Sequence, residues 1–225
     1  MRKTSTNILL ALTILISCLF YFMQGRKSIV FYGDALGYYL YLPTTFIYNN
    51  TGNPETLPTD KGIDPIVLNY VADMAAQLGK TGKGYLVNQY TYGTAFFELP
   101  FFSVAHFIEK FSGRAANGFS QTYVAAIRFA DIVYLLLGVW FLVAILRTFV
   151  DRNLAVAGAC LIVLGTNLFW FSFYQSGMAH VVLFFLYAAL IYFTIKLHQQ
   201  PCRKYFILAG LAAGFITVIR PSDIL

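Results

Sequence analysis

Along this 225-residue chain, long apolar runs alternate with short polar joints. Five runs are continuous enough to read as membrane spans, at about residues 7–23, 124–147, 154–174, 178–197 and 205–220. Between the first and second lies a stretch of mixed character, 24–123, whose apolar positions fall at helical intervals. Residues 34–48 predict a helix opened by Asp34 and kinked at Pro43. Ile66, Val67, Tyr70, Val71, Met74, Ala75 and Leu78 place one apolar face on a helix over 64–78. Residues 94–111, TAFFELPFFSVAHFIEKF, are apolar but interrupted by Glu98, Pro100 and His106, which predicts a helix lying in the membrane interface instead of crossing it. Turn chemistry separates these helices at NNTGNPETLPTDKG, residues 49–62, and again from Gly79 to Gly84. The expected fold is all-α: a single polytopic membrane helix bundle over 1–225, with a helical first outer loop.

Composition agrees with that pattern. Hydrophobic residues make up 58% of the chain and charged residues 12%, about half the charged share of an ordinary soluble domain. The net charge of +6 does not indicate a nucleic-acid partner, because the basic residues sit at the ends of apolar runs and form no stripe interleaved with aromatics. Their placement instead gives a topology. Arg2 and Lys3 precede the first span, Arg147 and Arg152 lie between the second and third, and Lys196, Arg203 and Lys204 lie between the fourth and fifth. All three groups share one side when the N-terminus is cytoplasmic. Residues 24–123 then lie outside, in the periplasm of a bacterial inner membrane. LISC, residues 15–18, has the form of a lipoprotein cleavage box. The apolar run continues through Leu19 to Met23, however, so an uncleaved helix is the expectation and acylation of Cys18 the lesser one. Cys18, Cys160 and Cys202 are too scattered for a metal site or a disulfide framework.

Asp34 is the first candidate for chemistry. Gly33-Asp34-Ala35-Leu36 is a good helix start, and an N-cap aspartate is worth about 1 kcal/mol. The same carboxylate, partly desolvated by Tyr38, Tyr39 and Tyr41, suits a general base taking a proton from an acceptor hydroxyl. Both readings stand at this point. VNQYTYGTAFFELPFF (87–102) reads as a turn and an interfacial helix with Tyr90 and Tyr92 as interface aromatics. In SGMAH (176–180), His180 reads as a polar helix-end residue. Gly210 and Gly214 have GxxxG spacing, the mark of a packing face. Arg220, at the outer end of the last span, is either a snorkelling anchor or a partner for an anion. Arg128 and Asp131, one turn apart, read as a self-satisfied pair. GKTGKG (79–84) lacks the leading glycine of a phosphate loop, and the three histidines form no HExxH pair.

The order of these pieces, GDALGYYLYLP, NQYTYGTAFFELPFF, SGMAH and GLAAGFITVIRPSDIL, resembles the N-terminal portion of bacterial membrane glycosyltransferases of the GT-C fold. Within that fold it is similar to the branch of protein O-mannosyltransferases, aminoarabinose transferases and Rgt-type lipopolysaccharide sugar transferases. The resemblance implies an inverting enzyme that moves a sugar from a polyprenyl-phosphate donor to an acceptor glycan, lipid or protein at the bilayer surface. It implies Asp34 as catalytic base. Tyr38, Gln89, Tyr90, His180 and Arg220 are the candidate substrate-binding residues. Family members often carry a second acid beside the first, where this chain has Gly33 and Ala35. Some also carry a basic residue before a Pro-Pro pair, where this chain has Asn88-Gln89-Tyr90; Arg220 takes that phosphate-binding role on chemistry alone. No cofactor is implied, and a divalent metal requirement stays open. Relatives have more spans, so the chain is expected to be a truncated portion. The alternative is a non-catalytic polytopic membrane protein, such as a transporter fragment or assembly partner, although its charges cluster at span ends and not mid-bilayer.

Overall fold

A computed structural model describes residues 33–49, 62–80, 82 and 87–224. Among the described residues the protein is all-helical. The helices are α1 (Asp34–Tyr39), α2 (Tyr41–Phe46), α3 (Pro65–Leu78), α4 (Gly93–Phe111), α5 (Gln121–Leu146), α6 (Arg152–Gly165), α7 (Asn167–Phe173), α8 (Ala179–Gln199) and α9 (Arg203–Ile219), followed by a 3-10 turn, Pro221–Ile224. The break between α1 and α2 falls at Leu40, three residues before Pro43, the residue at which the sequence predicts a kink. Pro43 has no N–H to offer the Tyr39 carbonyl, so the helical ladder lapses there.

Among the described residues two helices are long and apolar enough to cross a membrane: α5, with 26 residues, and α8, with 21. The expected span over 154–174 is instead the pair α6 and α7, bent by 69°. Thr166 causes the bend: it takes an extended conformation and its Oγ1 accepts the Leu168 N–H at 3.2 Å, starting a new helix. Counted as one broken span, the pair brings the total among the described residues to three, where the hydropathy pattern predicts four over the same residues and a fifth at 7–23. The shortfall has a physical reason in α9. Its 17 residues reach about 25 Å, short of the ~30 Å hydrocarbon core. The run at 7–23 lies outside the described residues.

α5 is the central element, packed against α4, α6 and α8, while α9 pairs with α8. Gly138 lets α5 and α8 approach closely, since a β-carbon there would fall 2.5 Å from a ring carbon of Phe184. Asp151 starts α6 by accepting the N–H groups of Asn153 and Leu154, a cap worth about 1 kcal/mol. At the other end of the bundle, α1 to α4 and the start of α5 share one core around Leu36, Tyr39, Phe102, Tyr123 and Ile127. The Tyr39 hydroxyl donates to the Gly118 carbonyl and the Tyr48 hydroxyl donates to the Asn117 carbonyl at 2.8 Å, which ties α1 and α2 to the loop before α5. A second core joins α8 and α9 through Leu183, Leu186, Ile216 and Ile219, with Tyr38 and Phe97 packed on its edge.

Candidate functional site

Asp34 does not cap its helix. Gly33, with φ +60, occupies the cap position, no side-chain cap bond forms, and Asp34 is the first helical residue. Its exposed carboxylate faces sideways, where Oδ1 accepts the Tyr90 hydroxyl at 2.6 Å. Of the two readings the sequence leaves open, local capping is therefore displaced by a long-range contact. A hydrogen bond to a charged group is stronger than one between neutral partners, and this one joins residues 56 positions apart.

The connection before α4 is folded to hold Tyr90 against α1. Asn88 does this with both ends of its amide: Nδ2 donates to the Gly37 carbonyl at 2.9 Å and Oδ1 accepts the Tyr90 N–H at 3.0 Å. The Tyr41 hydroxyl donates to the Tyr90 carbonyl at 2.6 Å. Gly37 is needed for close approach, because a β-carbon there would lie 2.1 and 2.2 Å from Cδ2 and Cε2 of the Tyr90 ring. Tyr38 meets that ring edge-on, with centroids 4.8 Å apart. Gln89 Nε2 donates to the Tyr90 hydroxyl at 2.9 Å. Burial, and then the Asp34 hydrogen bond, push the Tyr90 phenol well above its ordinary range, so it remains a neutral donor at physiological pH. Tyr70 of α3 is hydrogen-bonded to Tyr90, and burial raises its own phenol as well.

The same connection is clamped to the end of α9. The Thr91 hydroxyl donates to the Ile219 carbonyl at 2.6 Å, and Gly93 packs so tightly on Ile219 that a β-carbon would fall 2.6–2.7 Å from its atoms. Arg220, exposed, follows directly as the C-cap of α9. The SGMAH turn arrives from another side. Gly177, at φ +81, packs beside Ala35, Ile127 and Glu98, and its N–H donates to Asp131 Oδ2 at 2.8 Å. Four separated motifs thus meet at one end of the helix bundle.

Asp34, Tyr38, Gln89 and Tyr90 form one cluster, and Arg220 follows Ile219, the residue onto which the segment carrying Tyr90 is clamped. His180 is not part of the cluster: its half-buried ring is stacked on Phe171, centroids 3.8 Å apart and nearly parallel. Asp131 accepts the Gly177 N–H at 2.8 Å and a hydrogen bond from Ser176. Tyr41 was expected beside Asp34 and holds the Tyr90 carbonyl, whereas nothing in the sequence marked Tyr70, Asn88 and Gly37 as parts of the site. Tyr70 was legible only as one more apolar position of α3, although a tyrosine there keeps a polar tip that needs a partner.

Among the described residues no three His, Cys, Asp or Glu side chains group as metal ligands. The cluster offers one carboxylate, hydroxyls and amides, which suit proton transfer and hydrogen bonding to a polyhydroxylated ligand. No family model, curated protein or solved structure matches the chain.

Proposed function

We propose that this protein is a membrane glycosyltransferase, or the N-terminal portion of one, that uses Asp34 as general base toward a polyprenyl-phosphate-linked sugar on the periplasmic face of a bacterial inner membrane. The observation that carries the reading is the 2.6 Å bond from Tyr90 to Asp34 Oδ1, in place of a helix cap. Tyr90 fixes the carboxylate and leaves Oδ2 for the acceptor. As the acceptor hydroxyl oxygen forms its bond to the anomeric carbon, its proton passes to Asp34 and the bond from that carbon to the phosphate oxygen breaks. The configuration inverts, and the polyprenyl phosphate departs already charged. Little beyond orientation and a base is required of the protein. Tyr38 and Gln89 supply a ring face and an amide for the sugar. Arg220 suits the phosphate, as a guanidinium held at the edge of the apolar bundle.

The test is Asp34→Asn in the full chain. Asparagine keeps an oxygen that accepts from Tyr90 but cannot take a proton. Transfer from lipid-linked sugar should fall by about 10²–10⁴-fold, the usual worth of a general base, while thermal stability holds. Undiminished transfer by a folded variant removes Asp34 from the base role.

A further inference from the structure

A second acid site lies behind the first and is not used by the mechanism above. Glu98 of α4 is 3% exposed, and Asp131 of α5 is likewise 3% exposed. Neither carboxyl oxygen of Glu98 has a hydrogen-bond partner among the described residues, nor does Thr94 Oγ1 one helical turn before it. The two acids converge on one turn: Gly177 N–H donates to Asp131 Oδ2 at 2.8 Å, and a β-carbon on Gly177 would stand 3.6 Å from Glu98 Oε1. That β-carbon would also stand 3.4 Å from Ala35 Cβ, next in sequence to Asp34. Glu98 is thus a bare carboxyl in an apolar setting, with a second carboxyl beyond the same glycine.

We propose that Glu98 and Asp131 form a proton-binding site that latches the Gly177 turn onto α1, α4 and α5. A carboxyl buried without a hydrogen-bond partner, with a second buried carboxyl beyond the same glycine, ionises only at high cost, so Glu98 retains its proton. Tyr39 from α1 and Tyr134 from α5 lie within electrostatic reach of Glu98 but donate their hydroxyls to the Gly118 and Phe97 carbonyls, while Ser176 and Gly177 donate to Asp131. His180, three residues beyond the turn, is stacked on Phe171. Arg128, three residues before Asp131 on α5, is the buried cation of this region. Burial, and then the Asp131 charge, hold the Glu98 carboxyl well above its ordinary range. Loss of the Glu98 proton to solvent places a negative charge beside the Gly177 turn, and its repulsion with Asp131 loosens the turn's contact with Ala35. The proposal does not depend on the transferase reading, since neither the site nor its test involves sugar transfer.

The sign of the pH dependence follows from the raised carboxyl. Above the ordinary glutamic range the native state keeps a proton that the unfolded state has released. Stability therefore falls as pH rises, up to the native titration point. The experiment uses the full chain in lipid nanodiscs. Infrared pH-difference spectra should show a protonated carboxylic acid persisting at neutral pH, absent in Glu98→Gln. Asp131→Asn, which removes the neighbouring charge, should move the titration of that band to lower pH. Between about pH 5 and 7 the wild-type unfolding constant should rise by up to about tenfold per pH unit, a slope that Glu98→Gln flattens. Absence of the band in wild type, or its survival in Glu98→Gln, overturns the proposal. So does its removal at constant pH by millimolar Mg²⁺ or Ca²⁺, which identifies a cation site instead.

Discussion

Gly37→Ala probes the seat of the Asp34–Tyr90 contact. The new β-carbon would fall 2.1 and 2.2 Å from two carbons of the Tyr90 ring, whereas carbon atoms rest at about 3.5–4.0 Å. The ring has to retreat by about 1.3 Å or more to reach that contact distance. The Tyr90 backbone cannot follow freely, being held by Asn88 through its N–H and by Tyr41 through its carbonyl. Overpacking of this kind costs about 1–3 kcal/mol. Stretching the bond to the exposed Asp34 adds about 0.5–1.5 kcal/mol, and alanine returns about 1 kcal/mol of helix propensity. The expected net loss is about 2 kcal/mol, measured by denaturant or thermal unfolding in detergent, together with a loss of transfer. In a Tyr90→Ala background the clash is gone, so the same substitution should stabilise by about 1 kcal/mol. That reversal of sign is the signature of direct packing. If Gly37→Ala stabilises the otherwise unaltered protein, the ring does not sit on Gly37 and the reasoning fails.

Three further substitutions have expected outcomes. Tyr90→Phe keeps the ring against Gly37 and Tyr38 but removes the hydroxyl that orients Asp34; unfolding should change by about 1 kcal/mol or less while transfer rates drop, a split that separates positioning from packing. Gly177→Ala forces a side chain into the left-handed region at φ +81 and should cost about 1–2 kcal/mol in unfolding measurements, whereas Gly210→Ala, with open space around it, should cost nothing and gain helix propensity.

The helical periodicity of the outer segments was readable because amphipathic helices write their apolar face into the sequence at fixed intervals. α3 and α4 lie where Val67, Val71 and Met74, and Phe102 and Ala105, demand burial. Window-averaged hydropathy failed at Gly165-Thr166-Asn167. Three small or polar residues barely lower the mean of a long window, yet one threonine cap is enough to break the helix there. Asp34 shows a different limit. A cap is decided by neighbours in sequence, but this carboxylate is claimed by a tyrosine 56 residues away, and only the fold reveals which partner wins. Glu98 was visible as an interruption of an apolar segment; that it faces Asp131 across Gly177 depended on the packing of α4, α5 and the turn before α8.

The account rests on the Asp34 cluster opening to the compartment opposite the cytoplasm. Replacing Cys18, Cys160 and Cys202 with serine and introducing Asp34→Cys gives one reactive thiol at the site. A membrane-impermeant maleimide should label it in intact right-side-out cells or spheroplasts and not in sealed inverted vesicles. Labelling confined to inverted vesicles would place the cluster on the cytoplasmic side and contradict the account.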